Sequence, residues 1–146
     1  MAKKHIAIVG AGFAGLTCAL RLAKKLEMSP EKDAYRIILI DRNQYQLFAP
    51  SLYEIASIPK EYADDRPLAS SLLFPIEDIL QGTSIVFFRD EYTGGSPENR
   101  KIFLRERGEF PYAYLVLALG AETNYFDIPG LAAHSIPLKT AHDAVR

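Results

Sequence analysis

The sequence predicts an α/β fold, a parallel sheet carrying a small antiparallel β-meander, on three observations. Two continuous runs rich in β-branched residues, His5–Val9 and Tyr35–Ile40, flank a stretch of helical period. Glycines cluster at the junction of the first run and the helix, in Gly10-Ala-Gly12-Phe13-Ala14-Gly15. Further on, turn signals bracket the short apolar run Lys101-Ile-Phe-Leu104, as they do in a chain that doubles back on itself.

Taken in order, His5-Ile-Ala-Ile-Val9 is short, apolar and ends on glycine, which marks a buried parallel strand. From Phe13 to about Glu27, the polar positions Thr17, Arg21, Lys24 and Lys25 recur at helical spacing. They leave an otherwise apolar circumference that includes Leu16, Ala19, Leu20 and Ala23. That is a helix with one wet stripe, packed on a sheet. Met28–Ala34, with Pro30, is a loop, and Tyr35–Ile40 is a second buried strand ending in Asp41. The three pieces form a β-α-β unit, whose right-handed crossover sets the strands parallel.

Asn43–Pro59 has many aromatics and no clear period. Leu68–Leu80 reads as two short helices broken at Pro75, because proline removes a donor and clashes with the preceding turn. Ser84–Phe88 reads as a third strand, Gly94-Gly-Ser-Pro97 and Glu106-Arg-Gly-Glu109 as turns of the meander, and Tyr114–Leu119 as a strand halted by Gly120. Pro129-Gly130 is a turn, and Thr140–Arg146 opens a helix.

The 146 residues suit one domain with a single core, and 49% hydrophobic content is that of a globular chain rather than a disordered one. Net charge is −1, which removes the clustered basic excess of a nucleic-acid binder. A single cysteine, Cys18, excludes an intrachain disulfide. The basic start is followed by only four apolar residues before the glycines, so it reads as a cytoplasmic start and not a signal peptide. No uncharged apolar stretch reaches the roughly 18 residues of a spanning helix.

The glycines fit G-x-G-x-x-G in the setting that gives the pattern meaning, after a strand and opening a helix. Gly10 permits the tight turn, Gly12 lets backbone amides approach a pyrophosphate, and Gly15 lets the helix pack closely on the strand. The helix amino terminus adds unpaired donors and about half a positive charge. Asp41 stands where a carboxylate accepts the ribose hydroxyls of a dinucleotide and repels a 2′-phosphate, or else caps the strand as a solvated acid. Its distance from the glycines exceeds the usual spacing of about 20 residues, and the Met28–Ala34 loop absorbs the excess. Arg42 either stacks on adenine or faces solvent. The fold expected is therefore a Rossmann-like, dinucleotide-binding α/β domain with an appended meander.

No cysteine pair follows Asp41, so a thiol-disulfide flavoenzyme finds no support, and Cys18 reads as a small core residue. His5, His134 and His142 lack metal-ligand spacing. No metal site and no catalytic side chain is assigned.

The stretch Ile8-Val-Gly-Ala-Gly-Phe-Ala-Gly-Leu16, with Leu39-Ile-Asp-Arg-Asn43 and Tyr45-Gln-Leu-Phe-Ala-Pro-Ser-Leu-Tyr-Glu54, resembles type II NADH dehydrogenases, single-subunit NADH:quinone oxidoreductases. Tyr114-Leu-Val-Leu-Ala-Leu-Gly-Ala121, Ile128-Pro-Gly-Leu131 and Pro137-Leu-Lys-Thr140 are similar to the same family, in order along nearly the whole chain. The resemblance implies non-covalent FAD on this domain, NADH on a second Rossmann domain, and hydride passed to FAD and electrons on to a quinone. It implies a respiratory flavoprotein, peripheral to the inner face of the plasma membrane. It also implies that Ala49 and Pro50 lie along the isoalloxazine, that Tyr92 falls where backbone groups read the adenine, and that Ala118 to Gly120 pass close to the cofactor. Leu119 replaces the more usual threonine there, and Ala113 stands where an aspartate is common.

On this reading residues 1–146 are an incomplete FAD-binding domain, the amino-terminal part of a two-dinucleotide flavoprotein, inactive alone. An exposed sheet edge would then favour homo-oligomers. The alternatives are a sulfide:quinone or ferredoxin reductase-like flavoprotein, and a nucleotide-binding module without catalysis.

Overall fold

A computed structural model describes residues 3–59 and 71–144. The chain forms two compact units, one of Met1–Gln46 with Pro75–Gly120, the other of Leu47–Phe74 with Ala121–Arg146.

The first unit is built on a four-stranded parallel sheet, which runs from Val86–Arg89 at one edge through Tyr35–Asp41 and Lys4–Val9 to Tyr114–Leu117 at the other. Its strands are β1 (Lys4–Val9), β2 (Tyr35–Asp41), β5 (Val86–Arg89) and β9 (Tyr114–Leu117). Helix α1 (Phe13–Glu27) crosses from β1 to β2, which pair in parallel from Lys4↔Tyr35 to Val9↔Ile40. The alternation of the strands sorts their side chains into two layers. Ile6, Ile8, Ile37 and Leu39 pack with Leu16, Ala19 and Ala23 of α1, joined by Ile76, Leu80 and Ile85. On the other face Ala7, Val9, Ile38 and Ile40 pack with Ile102 and Leu104 of the meander. The central strands are thus covered on both sides along Ile6–Val9 and Ile37–Ile40, which is why those stretches are apolar at every position. Strand β9 is an edge, and its Tyr114 and Leu117 are exposed.

The meander is β6 (Tyr92–Ser96), β7 (Lys101–Leu104) and β8 (Gly108–Pro111), antiparallel throughout. Its first turn lies later than the sequence suggests. Gly94, Gly95 and Ser96 belong to β6, and the chain reverses over Pro97–Arg100, where the Arg100 N–H donates to the Pro97 carbonyl at 3.1 Å. The glycines serve a strand with a register shift between Tyr92 and Gly94. A Cβ on Gly95 would stand 3.0 Å from the Lys101 carbonyl oxygen.

Asp90, between β5 and β6, is a buried carboxylate. Burial pushes its pKa up. Donors from the Glu106 N–H, the Arg107 guanidinium and the Glu91 and Arg107 N–H groups outweigh that and hold it below the ordinary carboxylate value. Because the folded state holds the proton less tightly than the unfolded chain, this contribution is fully present above the unfolded value of about 4. It is lost as pH falls through the lower, folded value. The urea midpoint of the wild type is expected to fall more steeply below pH 4 than that of Asp90→Asn. Parallel midpoint curves would remove Asp90 from the account of acid stability.

Leu68–Leu80 differs from the two helices expected. Residues 68–70 lie outside the described residues. Ser71 is helical, Leu73–Pro75 is an extended strand, β4, paired with β3 (Tyr45–Leu47), and α3 (Ile76–Ile79) is helical. Proline at 75 takes φ −57°, ψ 126°, compatible with the end of a strand and not with a helix interior.

The second unit contains a 3₁₀ turn (Ala49–Ser51), α2 (Leu52–Ala56), α4 (Leu131–His134) and α5 (Ala141–Ala144). Leu52, Ile55, Leu72 and Ala144 form its small core. A reciprocal cap starts α5: the Asp143 N–H donates to Thr140 Oγ1 at 3.1 Å and the Thr140 N–H to Asp143 Oδ2 at 2.8 Å. Among the described residues, no helix is long and apolar enough to cross a membrane.

Candidate functional site

Loops leaving the carboxyl ends of the parallel strands carry most of the residues singled out by sequence. Strand β1 delivers Gly10, β2 delivers Asp41 and Arg42, β5 leads through Asp90 to Tyr92, and β9 delivers Ala118 and Gly120. β2 lies on one side of β1 and β9 on the other, so the strand order reverses at β1. Such a switch point opens a crevice at the carboxyl edge of the sheet.

The three glycines at this crevice have three different reasons to be glycine. Gly10 has φ +100°, and a Cβ there would run into the carbonyl of Ala118. Gly15 sits on the first turn of α1, and its Cβ would overlap the Gly10 carbonyl and stand 3.4 Å from the Ala118 Cβ. These two glycines lock α1, the first turn and the end of β9 together. The contact also explains why β9 stops at Leu117, two residues before the expected end. The Ala118 N–H still bonds to the Val9 carbonyl at 2.7 Å, while its own carbonyl is turned toward Gly10.

Gly12 is different. Its φ of −72° suits any residue, and a Cβ on it would meet nothing within 4 Å. Gly12 caps α1 with no side-chain hydrogen bond, and Leu16 is the first residue whose N–H bonds back, to the Gly12 carbonyl at 3.0 Å. The Ala14 and Gly15 amides lie in that first turn, where helical geometry supplies no intrahelical acceptor. Phe13, half exposed, and Ala14 flank this opening. The result is a polar, electropositive helix start with room above it, shaped for an anion such as a pyrophosphate.

Asp41 faces the same turn. Its Oδ2 accepts the Ala11 N–H at 2.7 Å and its Oδ1 the Asn43 N–H at 2.8 Å. An ionised carboxylate offers about four acceptor positions, so capacity for ribose hydroxyls remains. The carboxylate therefore braces the glycine turn as well as facing the crevice, a role that no sequence pattern signals. Arg42 is exposed. It lines a cleft of about 400 Å³ with Arg89, Asp90, Glu91, Arg105 and Glu106. Tyr92 opens β6 and packs partly buried against the core under the meander. Gly120 has φ +78° and open space at its Cβ position. Ala49 and Pro50 lie in the 3₁₀ turn of the second unit, both exposed. Cys18 packs partly buried against the α1 layer, and His5 stacks on Phe110 with centroids 4.8 Å apart, so both have structural surroundings.

Residues 4–146 match the family model described as pyridine nucleotide-disulphide oxidoreductase. Over 97% of its length the chain is 30% identical to a type II NADH:quinone oxidoreductase of Staphylococcus haemolyticus, covering 32% of that protein. Over 99% of its length it is 29% identical to the demethylphylloquinone reductase NdbB of Synechocystis, covering 35% of it. The chain thus spans about a third of the length of the curated relatives it matches. Among solved structures, NDH2 of Plasmodium falciparum in complex with NADH superposes with a TM-score of 0.72 at 23% identity, over 99% of this chain and 28% of that one. The sulfide:quinone oxidoreductase of Aquifex aeolicus gives a TM-score of 0.76 at 20% identity, over 97% and 30%. At those identities the structures speak to the fold, which is the Rossmann-type fold of flavin and nicotinamide oxidoreductases. With the family model spanning nearly every residue, the chain belongs to the pyridine nucleotide-disulphide oxidoreductase family.

Proposed function

We propose that these residues are the FAD-binding portion of an NADH:quinone oxidoreductase that passes hydride from NADH to FAD and electrons on to a quinone. The observation that carries the dinucleotide site is the uncapped start of α1, with open space over Gly12 and the Asp41 carboxylate beside it. The names of the relatives in sequence supply the reaction class, since both are reductases of quinones. FAD, when bound, supplies the two-electron chemistry.

The chain's own residues would bind and orient. Backbone amides over Gly12 to Gly15 meet the pyrophosphate, Asp41 accepts the adenosine ribose hydroxyls, and its charge disfavours a 2′-phosphate. Arg42 and the backbone at Tyr92 bound the adenine. Ala118 and Gly120 serve the flavin side. The full protein is proposed to work at the inner face of the plasma membrane as a peripheral protein, with NADH held by residues outside these 146. Cys18 is the one cysteine of the sequence, so these 146 residues supply no pair of sulfurs for redox chemistry.

Rapid hydride transfer requires the nicotinamide within about 3–3.5 Å of its acceptor atom, a placement that supplies much of the rate. The 146-residue chain loaded with FAD is therefore expected to react with NADH at a rate linear in NADH concentration and no faster than free FAD. Stopped-flow reduction measures this. Saturation at an enzyme-like rate would place the NADH site within these residues and overturn that part of the proposal.

A further inference from the structure

We propose that Asp90 and Arg107 are positioning residues for the nucleotide site, clamping the meander to the carboxyl edge of the sheet so that the glycine turn, Asp41 and the start of β6 form one rigid frame. The inference rests on the dinucleotide reading above.

The Asp90 side chain is fully enclosed, and its bonding is complete. Its Oδ1 accepts the Glu91 N–H at 2.8 Å and the Glu106 N–H at 3.0 Å. Its Oδ2 accepts the Arg107 N–H at 3.2 Å and the Arg107 Nη1 at 2.9 Å. Four donors fill the roughly four acceptor positions of a carboxylate. The donors come from two places in sequence, the first residue before β6 and the turn between β7 and β8. The chain of bonds continues toward the crevice. The Asp90 N–H donates to the Asp41 carbonyl at 2.9 Å, and the Asp41 carboxylate takes the Ala11 N–H at 2.7 Å. Arg107 itself lies over Phe88, its guanidinium carbon 4.4 Å from the ring centroid. Arg105 adds a second tie to Glu91 at 2.7 Å.

Holding the meander onto the sheet does not by itself require this network. Ile102 and Leu104 already bury against Ala7, Val9, Ile38 and Ile40. A buried ionised carboxylate is a poor choice for stability alone, since well-packed apolar groups often do as well or better. What the carboxylate adds is direction, fixing two loops at defined angles. It acts where β2 ends and β6 begins, next to Asp41 and Tyr92, and not at the far end of the strands.

The test compares Asp90→Asn, Arg107→Lys and Ile102→Val in the 146-residue chain, each at a temperature where it is fully folded. Two quantities are read: the dissociation constant for FAD, and the amide proton shift of Ala11 in the ligand-free protein. Asp90→Asn is expected to weaken FAD about tenfold, the effect of one lost charge-assisted bond, and to move the Ala11 amide. Arg107→Lys, which keeps the charge but not the planar fork, should give a smaller loss in the same direction. Ile102→Val, a core change under the same meander, should leave both readings as in the wild type. Should Asp90→Asn fail to fold, Arg107→Lys against Ile102→Val decides the matter in the same way. A folded Asp90→Asn or Arg107→Lys that binds FAD like the wild type, with Ala11 unmoved, overturns the proposal and leaves the dinucleotide site standing. A wild type that does not bind FAD overturns both.

Discussion

Replacing Gly15 by alanine is expected to destabilise the first unit by about 1–3 kcal/mol, the usual range for atoms forced into a packed interior. Helix propensity alone gives the opposite sign, a gain of about 1 kcal/mol for alanine over glycine in a helix. Sterics should win because the added Cβ would overlap the backbone carbonyl of Gly10, not a mobile side-chain end. Gly10 has little room to shift, since its turn runs so near the Ala118 carbonyl that even a Cβ on Gly10 would overlap it. Relief therefore needs α1 to move off the β1–β9 seam, at the cost of the contacts of Leu16 and Ala19 with the sheet. Chemical denaturation measures the effect. A midpoint equal to or above the wild type would show that the close approach of α1 to the turn is not rigid.

Gly12→Val should do the reverse, leaving the fold nearly intact and removing dinucleotide binding, with affinity for FAD lowered at least about a hundredfold. Valine accepts φ −72°, and its Cβ has no protein neighbour within 4 Å. Changing the cap residue from glycine costs at most about 1 kcal/mol. The branched side chain would occupy the space where backbone amides must meet a phosphate directly. A thermal scan together with an FAD titration separates the two effects. A variant that unfolds, or one that binds FAD as tightly as the wild type, contradicts the assignment of that space to a pyrophosphate. The contrast between Gly12 and Gly15 matters more than either result alone, because one position is open and the other closed within a single motif.

The parts of the fold legible in the sequence are those set by local pattern. β1, α1 and β2 are nearly as expected because buried parallel strands are apolar throughout and the glycine turn marks where one begins and the other ends. The meander was legible in outline and misplaced in detail. Gly94 and Gly95 look like a turn in sequence, yet they are strand residues: Gly94 takes φ +155° and Gly95 lies close to the Lys101 backbone of the paired strand. Leu73–Pro75 went astray for the same kind of reason, since its extended form depends on pairing with Tyr45–Leu47.

For the site, residue types and spacing pointed to Gly10, Gly12, Gly15 and Asp41, and the structure gathers them with Ala118 at one edge of the sheet. They could not reveal that Gly10 and Gly15 are fixed by Ala118 or that Asp41 holds the Ala11 amide. Nor could they show that Asp90 and Arg107, far apart in sequence from the glycines, are tied to the same turn. Each of these is a contact between segments brought together only by the fold.

The claim on which the rest depends is that this chain binds FAD through the open start of α1, and a calorimetric titration of the 146-residue protein with FAD tests it most directly. One FAD per chain is expected to bind saturably, with the yellow flavin colour following the protein through gel filtration and lost in Gly12→Val. No heat of binding in the wild type, or binding that survives Gly12→Val unchanged, would contradict it.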